Sequence, residues 1–225
     1  MSEPVIVRMT SKEVMPLFPT LLWKSQLAPE TFEPINRRII AKLHGLTAGE
    51  PALKPGGMWQ TDQHFNRLEG MSDIDRIMRG TTRAALESLK VKYDNFEITG
   101  CWANISAPGA PHKIHTHPNN YLSGVYYVKT QPKANGIVFH DPRPQVSIIS
   151  PPPAELGPTN AGMLRVQVDT GSLILFPSWL EHSVDANLSS ENRISIAFNI
   201  MFTEFTEKMS RPRWDGNISL GGSAS

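Results

Sequence analysis

Near residue 95 the spacing of apolar residues changes, and that switch constrains the fold more than any other feature of the chain. Upstream, they recur at helical intervals. Phe32, Ile35, Ile39, Ile40 and Leu43 share one side of a helix that Gly45 can end, and Ile74, Ile77, Met78, Ala85 and Leu89 share one side of a second. Ser72 stands where it can cap the second helix, with Asp75 in the capping-box position three residues on. Downstream, the segments 96–106, 114–117, 122–129, 136–140, 146–149, 164–168, 172–176 and 193–203 are short and rich in Val, Ile, Phe and Tyr. Pro, Gly and Asn divide them, which is the pattern of strands. Residues 17–25 predict one earlier strand with a proline bend, and 47–70 predict a surface loop. Helices followed by many short strands imply an α+β fold with a β-sandwich or jelly-roll core.

The last strand is the most sharply patterned. Ile194, Ile196, Phe198, Ile200 and Phe202 alternate with Arg193, Ser195, Ala197, Asn199 and Met201. One face is wholly apolar and belongs against a hydrophobic layer; the mixed face suits a cavity lining or a wet surface. A chain of 225 residues is long enough for one domain. The expected layout is helical support over about 26–95, a core over about 96–203 and a flexible tail over about 207–225. The proline-rich segment 141–163 hangs between two core strands, either as a lid over a pocket or as a surface excursion.

Chemistry concentrates at His115-Thr116-His117, which runs straight into the strand 122–129. In a strand, residues i and i+2 point to one face, so both imidazoles would aim at one point. Imidazole is the commonest metal ligand. His182 follows another buried strand, 172–176, and a Pro turn. Two ligands from one segment and a third from a distant one make a facial set with open positions, which suits Fe(II). His112 reads as a weaker candidate in a loop. Arg193 opens the last strand on its mixed face beside Ser195 and can grip a carboxylate; otherwise it pairs with an acidic side chain on the rim. Either Tyr126 or Tyr127 can donate a phenol hydrogen bond there while its neighbour packs in the core.

These four blocks, His115-Thr116-His117, Ser123-Gly124-Val125-Tyr126-Tyr127-Val128, Phe176-Pro177-Ser178-Trp179-Leu180-Glu181-His182 and Arg193-Ile194-Ser195-Ile196-Ala197-Phe198-Asn199, in this order resemble the 2-oxoglutarate and Fe(II)-dependent oxygenases. The resemblance is greatest to a bacterial and phage subgroup related to prolyl hydroxylases, and it covers roughly 96–203. It implies a double-stranded β-helix (jelly-roll) core with flanking N-terminal helices. It also implies a dioxygenase that uses O2, Fe(II) and 2-oxoglutarate as cosubstrate, hydroxylates a substrate and releases succinate and CO2. By the resemblance His115 and His182 are iron ligands, Arg193 with Ser195 binds the far carboxylate of 2-oxoglutarate, and Tyr127 touches that carboxylate. Trp102 and Asn104 share a face of the preceding strand and would line the pocket. The broader family has Asp or Glu where this chain has His117, so a three-histidine site is expected, with Asp141 as the minor alternative for the third ligand.

Composition removes several other classes. A net charge of +1 argues against nucleic acid or a membrane surface as partner. No apolar run approaches the roughly 20 residues of a spanning helix, and the first residues lack a signal-peptide layout. The single cysteine, Cys101, excludes an internal disulfide and fits a reducing cytoplasm. Two rival readings are a cupin-like metal protein or dioxygenase without 2-oxoglutarate, and a non-enzymatic jelly-roll module. Arg193 with Ser195 separates the first from the oxygenase. Whether the substrate is a small molecule or a peptide is not marked by any motif, and the sequence is compatible with a homo-oligomer.

Overall fold

The computed structural model describes residues 8–206; the tail expected at 207–225 lies outside the described residues. Three helices, α1 (Pro29–Leu46), α2 (Ser72–Ser88) and the single-turn α3 (Thr203–Thr206), accompany ten strands among the described residues: β1 (Trp23–Gln26), β2 (Met58–Gln60), β3 (Phe96–Ser106), β4 (His112–His115), β5 (Leu122–Lys129), β6 (Gly136–His140), β7 (Met163–Gln167), β8 (Ser172–Pro177), β9 (His182–Val184) and β10 (Arg193–Phe202). They form a six-stranded sheet, β1-β8-β5-β10-β3-β2, and a four-stranded sheet, β4-β9-β6-β7. Every strand pairing is antiparallel.

The two-faced pattern of β10 explains the layering. Ile194, Ile196, Phe198 and Ile200 are buried in one cluster with Ile35, Ile39 and Leu43 of α1 and Ile74, Met78 and Leu86 of α2. The helices therefore cover the outer face of the large sheet. On its other face Tyr127, Ile174 and Phe176 pack with Ile137 and Phe139 of the small sheet. Neighbouring tyrosines of β5 thus go to opposite layers, as strand alternation requires. Tyr126 donates to Asn36 Oδ1 at 2.7 Å, and Asn36 Nδ2 donates to the Val128 carbonyl at 2.8 Å. This buried pair pins α1 to β5.

Several elements depart from the pattern-based expectation. Ser72 lies inside α2, with Met71 before it and no side-chain cap. The expected capping partner is engaged elsewhere: Asp75 accepts from Asn66 Nδ2 at 2.7 Å and from Arg79 Nε at 2.9 Å. The α1 helix runs past Gly45 to Leu46, and Phe32 and Ile40 are only partly buried. No strand forms at 146–149; Pro144–Ser147 is a 3-10 turn. Pro144 has no N–H to give a ladder, and Ile148 and Ile149 lie exposed. The first strand keeps only Trp23–Gln26, because Leu17 and Phe18 are exposed and Phe18 has φ 53°. The loop 47–70 contributes the short β2, and His182, which follows β8 as expected, also opens the short β9.

Candidate active site

The space between the sheets holds the site. All eight residues singled out above, Trp102, Asn104, His115, His117, Tyr127, His182, Arg193 and Ser195, line one cavity. Ile137, Phe176 and Val184 close it with apolar surface, and His112 joins the lining.

The three histidines arrive by different routes. His115 ends β4 and is the register partner of His182 on β9. His117 lies beyond the strand, so strand alternation does not orient it. A turn does. The His117 amide donates to the Ser178 carbonyl at 2.9 Å. The residues that follow are held by Asn120 Nδ2 to the Pro118 carbonyl at 3.0 Å, by Thr99 Oγ1 to Asn120 Oδ1 at 2.5 Å, and by Ser178 Oγ to the Asn120 carbonyl. Asn119 takes φ 63° within this turn, a left-handed conformation that Asn tolerates better than most residues. The outcome is convergence: one nitrogen of each imidazole lies within 4.8 Å of those of the other two. Ring centroids are 4.3 Å apart for His115 and His182, and 5.0 and 5.2 Å from His117 to each of them.

Second contacts fix how two of the rings face. His115 Nδ1 sits 2.7 Å from the Lys113 carbonyl and His182 Nδ1 2.9 Å from the Leu180 carbonyl. A carbonyl only accepts, so each Nδ1 carries the proton and each Nε2 keeps a free lone pair. Burial first, then the His115 charge, lowers the pKa of His117 to about 4. Burial lowers that of His182 to about 3; the Leu180 hydrogen bond opposes this, and repulsion from His115, His117 and His112 adds to it. Both are neutral at pH 7, the form that binds metal. Three convergent imidazole nitrogens fit a divalent transition metal. Trp102 flanks the cluster, its ring 5.8 Å from His117.

Another part of the same lining suits an anion. Arg193 is 3% exposed, and its Nη2 is buried without a hydrogen-bond partner. No ion pair to Arg193 forms among the described residues, so the rim-pair alternative for this residue does not hold. Around it, Ser195 on β10 pairs in register with Asn104 on β3 and Tyr127 on β5. Tyr127 is 2% exposed, and burial raises its phenol pKa while the nearby guanidinium lowers it. Its neighbour Tyr126 is committed to Asn36, which leaves Tyr127 as the tyrosine of the cavity. A buried cation with an unpartnered donor beside hydroxyls and an amide fits a carboxylate.

His112 was placed in a loop by sequence, yet it opens β4. Its Nε2 lies 3.3 Å from Ser106 Oγ, and Ser106 is the register partner of Arg193. Burial, then the charges of Arg193 and His115, lowers its pKa to about 4. Sequence spacing does not reveal it: residues three apart in a regular strand face opposite ways, and a register shift between His112 and His115 lets both line the cavity. Asp141 belongs to a different arrangement: Arg143 donates to both of its carboxylate oxygens, from Nε at 2.9 Å and Nη2 at 2.7 Å. The cluster of convergent ligands contains three histidines and no carboxylate.

Residues 100–199 match the family model described as putative 2OG-Fe(II) oxygenase. No curated protein matches the chain in sequence. Among solved structures, it is similar to a Trichoplax adhaerens prolyl hydroxylase in complex with a hypoxia inducible factor peptide fragment, at 11% identity and TM-score 0.57, over 84% of this chain and 87% of that one. It is similar to HygX from Streptomyces hygroscopicus with nickel and 2-oxoglutarate bound, at 11% identity and TM-score 0.56, over 82% and 83% of the two chains. A Pseudomonas putida prolyl-4-hydroxylase matches at 16% identity and TM-score 0.50, over 81% and 93%. At such identities these likenesses speak to fold, while the family match covers the segment that carries the three histidines and Arg193. Residues 100–199, which carry the three histidines and Arg193, are thus similar to the family described as putative 2OG-Fe(II) oxygenase.

Proposed function

We propose that the protein is a dioxygenase that hydroxylates its substrate, with Fe(II) held by His115, His117 and His182 and 2-oxoglutarate anchored by Arg193. The observation that carries this reading is the buried, unpartnered Arg193 Nη2 in the same cavity as three convergent imidazoles. The two facing antiparallel sheets support a double-stranded β-helix core with α1 and α2 as its flanking helices. Bound Fe(II) supplies the O2 chemistry that converts 2-oxoglutarate to succinate and CO2 while the substrate is oxidised.

The chain's own groups hold and shield. His115 and His182 present Nε2 because backbone carbonyls hold their Nδ1 protons. Arg193, with Ser195 and Tyr127, binds the far carboxylate of 2-oxoglutarate and so fixes where its other end lies. Phe176, Ile137 and Val184 keep the space between sheets dry, which strengthens that charge pairing. Trp102, beside His117, and Asn104 line the cavity wall on which a substrate would lean. Imidazole ligands bring no negative charge, so the dianionic cosubstrate balances the metal's charge without a protein carboxylate. A metal protein that takes no 2-oxo acid would leave the Arg193 charge without a counterpart.

The test is spectroscopic. Anaerobic protein loaded with Fe(II) is titrated with 2-oxoglutarate and scanned for the weak visible charge-transfer band of the chelate. A saturable band is expected. Metal binding with no band at saturating 2-oxoglutarate would overturn the proposal.

A further inference from the structure

His112 and Val184 occupy an unusual place. They are register partners across β4 and β9, and both line the cavity between the sheets. Both also line a second, open groove on the outside of the molecule, with Pro111, Lys113, Ile114 and Asp185. They are therefore the partition between the two spaces. His112 Nε2 lies 3.3 Å from Ser106 Oγ of the opposite sheet, and Ser106 pairs in register with Arg193, which places the imidazole beside the anion subsite. The anion subsite thus has a back wall one side chain thick, with solvent behind it.

We propose that His112, together with Val184, is the specificity-determining wall that limits the length of the 2-oxo dicarboxylate the site accepts. This rests on the reading that Arg193 binds the far carboxylate of 2-oxoglutarate. With the keto end fixed at the metal, a 2-oxo acid longer by one methylene, 2-oxoadipate, carries its far carboxylate into the imidazole. The backbone of this wall is fixed by the pairing of His112 with Val184 across β4 and β9, so it does not yield to a longer ligand. Truncating the imidazole opens the cavity into the outer groove, where the longer acid's carboxylate meets water.

The experiment measures binding rather than turnover. Anaerobic Fe(II)-loaded protein is titrated with 2-oxoglutarate and with 2-oxoadipate, and the charge-transfer band gives a dissociation constant for each. Wild type should favour 2-oxoglutarate by about 10- to 200-fold, the usual worth of one methylene in a fitted pocket. His112→Ala and Val184→Ala should each reduce that ratio by roughly tenfold or more. Ser106→Ala removes the hydrogen bond but keeps the bulk of the imidazole, so it should preserve the ratio. An unchanged ratio in His112→Ala overturns the proposal, as does equal relaxation in Ser106→Ala. Should His112→Ala fail to fold, Val184→Ala decides by the same criterion. Wild type that binds metal but shows no band with either acid overturns the 2-oxoglutarate reading itself, a result distinct from a band without selectivity.

Discussion

Arg193→Met separates what the guanidinium does for the ligand from what it does to the fold. Arg193 is 3% exposed and its Nη2 has no partner. An unsatisfied buried polar group costs about 1–3 kcal/mol, and a charged one more. Met has similar length, fills the space with apolar atoms and needs no partner. Without ligand, Arg193→Met should therefore be more stable than wild type by about 1–3 kcal/mol. For a chain of this size that is roughly 2–12 °C in Tm, at about 2–4 °C per kcal/mol. The ligand response should reverse the order. Removing one partner of a buried charge pair costs about 2–5 kcal/mol, so 2-oxoglutarate should bind roughly 30- to 5000-fold more weakly. The assay is thermal melting of metal-loaded, anaerobic protein with and without 2-oxoglutarate. Wild type should start lower and gain the larger shift; the variant should start higher and barely move. A variant that melts below wild type in the absence of ligand, or one that keeps the wild-type shift, would refute the orphan-cation argument.

Other consequences follow from the same geometry. Gly124 faces Phe198 and Leu175 across the sheet, and a Cβ there would lie 2.5 Å from Phe198 Cε1 and 2.8 Å from Leu175 Cδ2. Gly124→Ala should destabilise the protein by about 1–3 kcal/mol or more, read as a lower denaturation midpoint; a neutral result would mean that the ring moves freely. The pKa values of His182, His117 and His112 stand at about 3, 4 and 4, below the ordinary value of 6.5. The unfolded chain then binds more protons than the native one between those values and 6.5. Stability present above pH 6.5 should be lost as pH falls toward 4, with a slope approaching about 1.4 kcal/mol per pH unit for each histidine. Metal-free protein melted across pH 7 to 4.5 should show this decline, and a flat profile would contradict it. In Ni(II) titrations, His117→Ala should lose more than the roughly 10- to 100-fold in affinity that removal of an outer-shell partner costs. Asp141→Ala should leave affinity unchanged, since Arg143 already occupies that carboxylate; equal losses would move the third ligand to Asp141.

Much of this architecture was legible where one periodicity ran long enough to dominate. The ten residues of β10 alternate without a break, and both faces sit where the pattern puts them: Ile196 and Phe198 against the helices, Arg193 and Ser195 in the cavity. Short elements were less legible, because three or four residues carry no period. The strands β2 and β9 were invisible for that reason, and 146–149, which reads as a strand, forms none because Pro144 opens a 3-10 turn there. Tertiary demand also overrode local preference. Asp75 had the spacing of a capping partner, but Asn66 and Arg79 claim it.

The histidines show where sequence spacing and physical cause part company. His115 and His117 converge with His182, as their i, i+2 spacing suggested, yet the cause is not strand alternation. The strand ends at His115, and His117 is aimed by a turn that Ser178, Thr99 and Asn120 hold. Two of the imidazoles are thus fixed by the paired strands β4 and β9, and the third by hydrogen bonds outside the ladder. A residue placed by a turn can change its side chain without disturbing the register of either sheet. His117 is therefore free of the ladder constraint that His115, His182 and Arg193 carry, each being set in a paired strand.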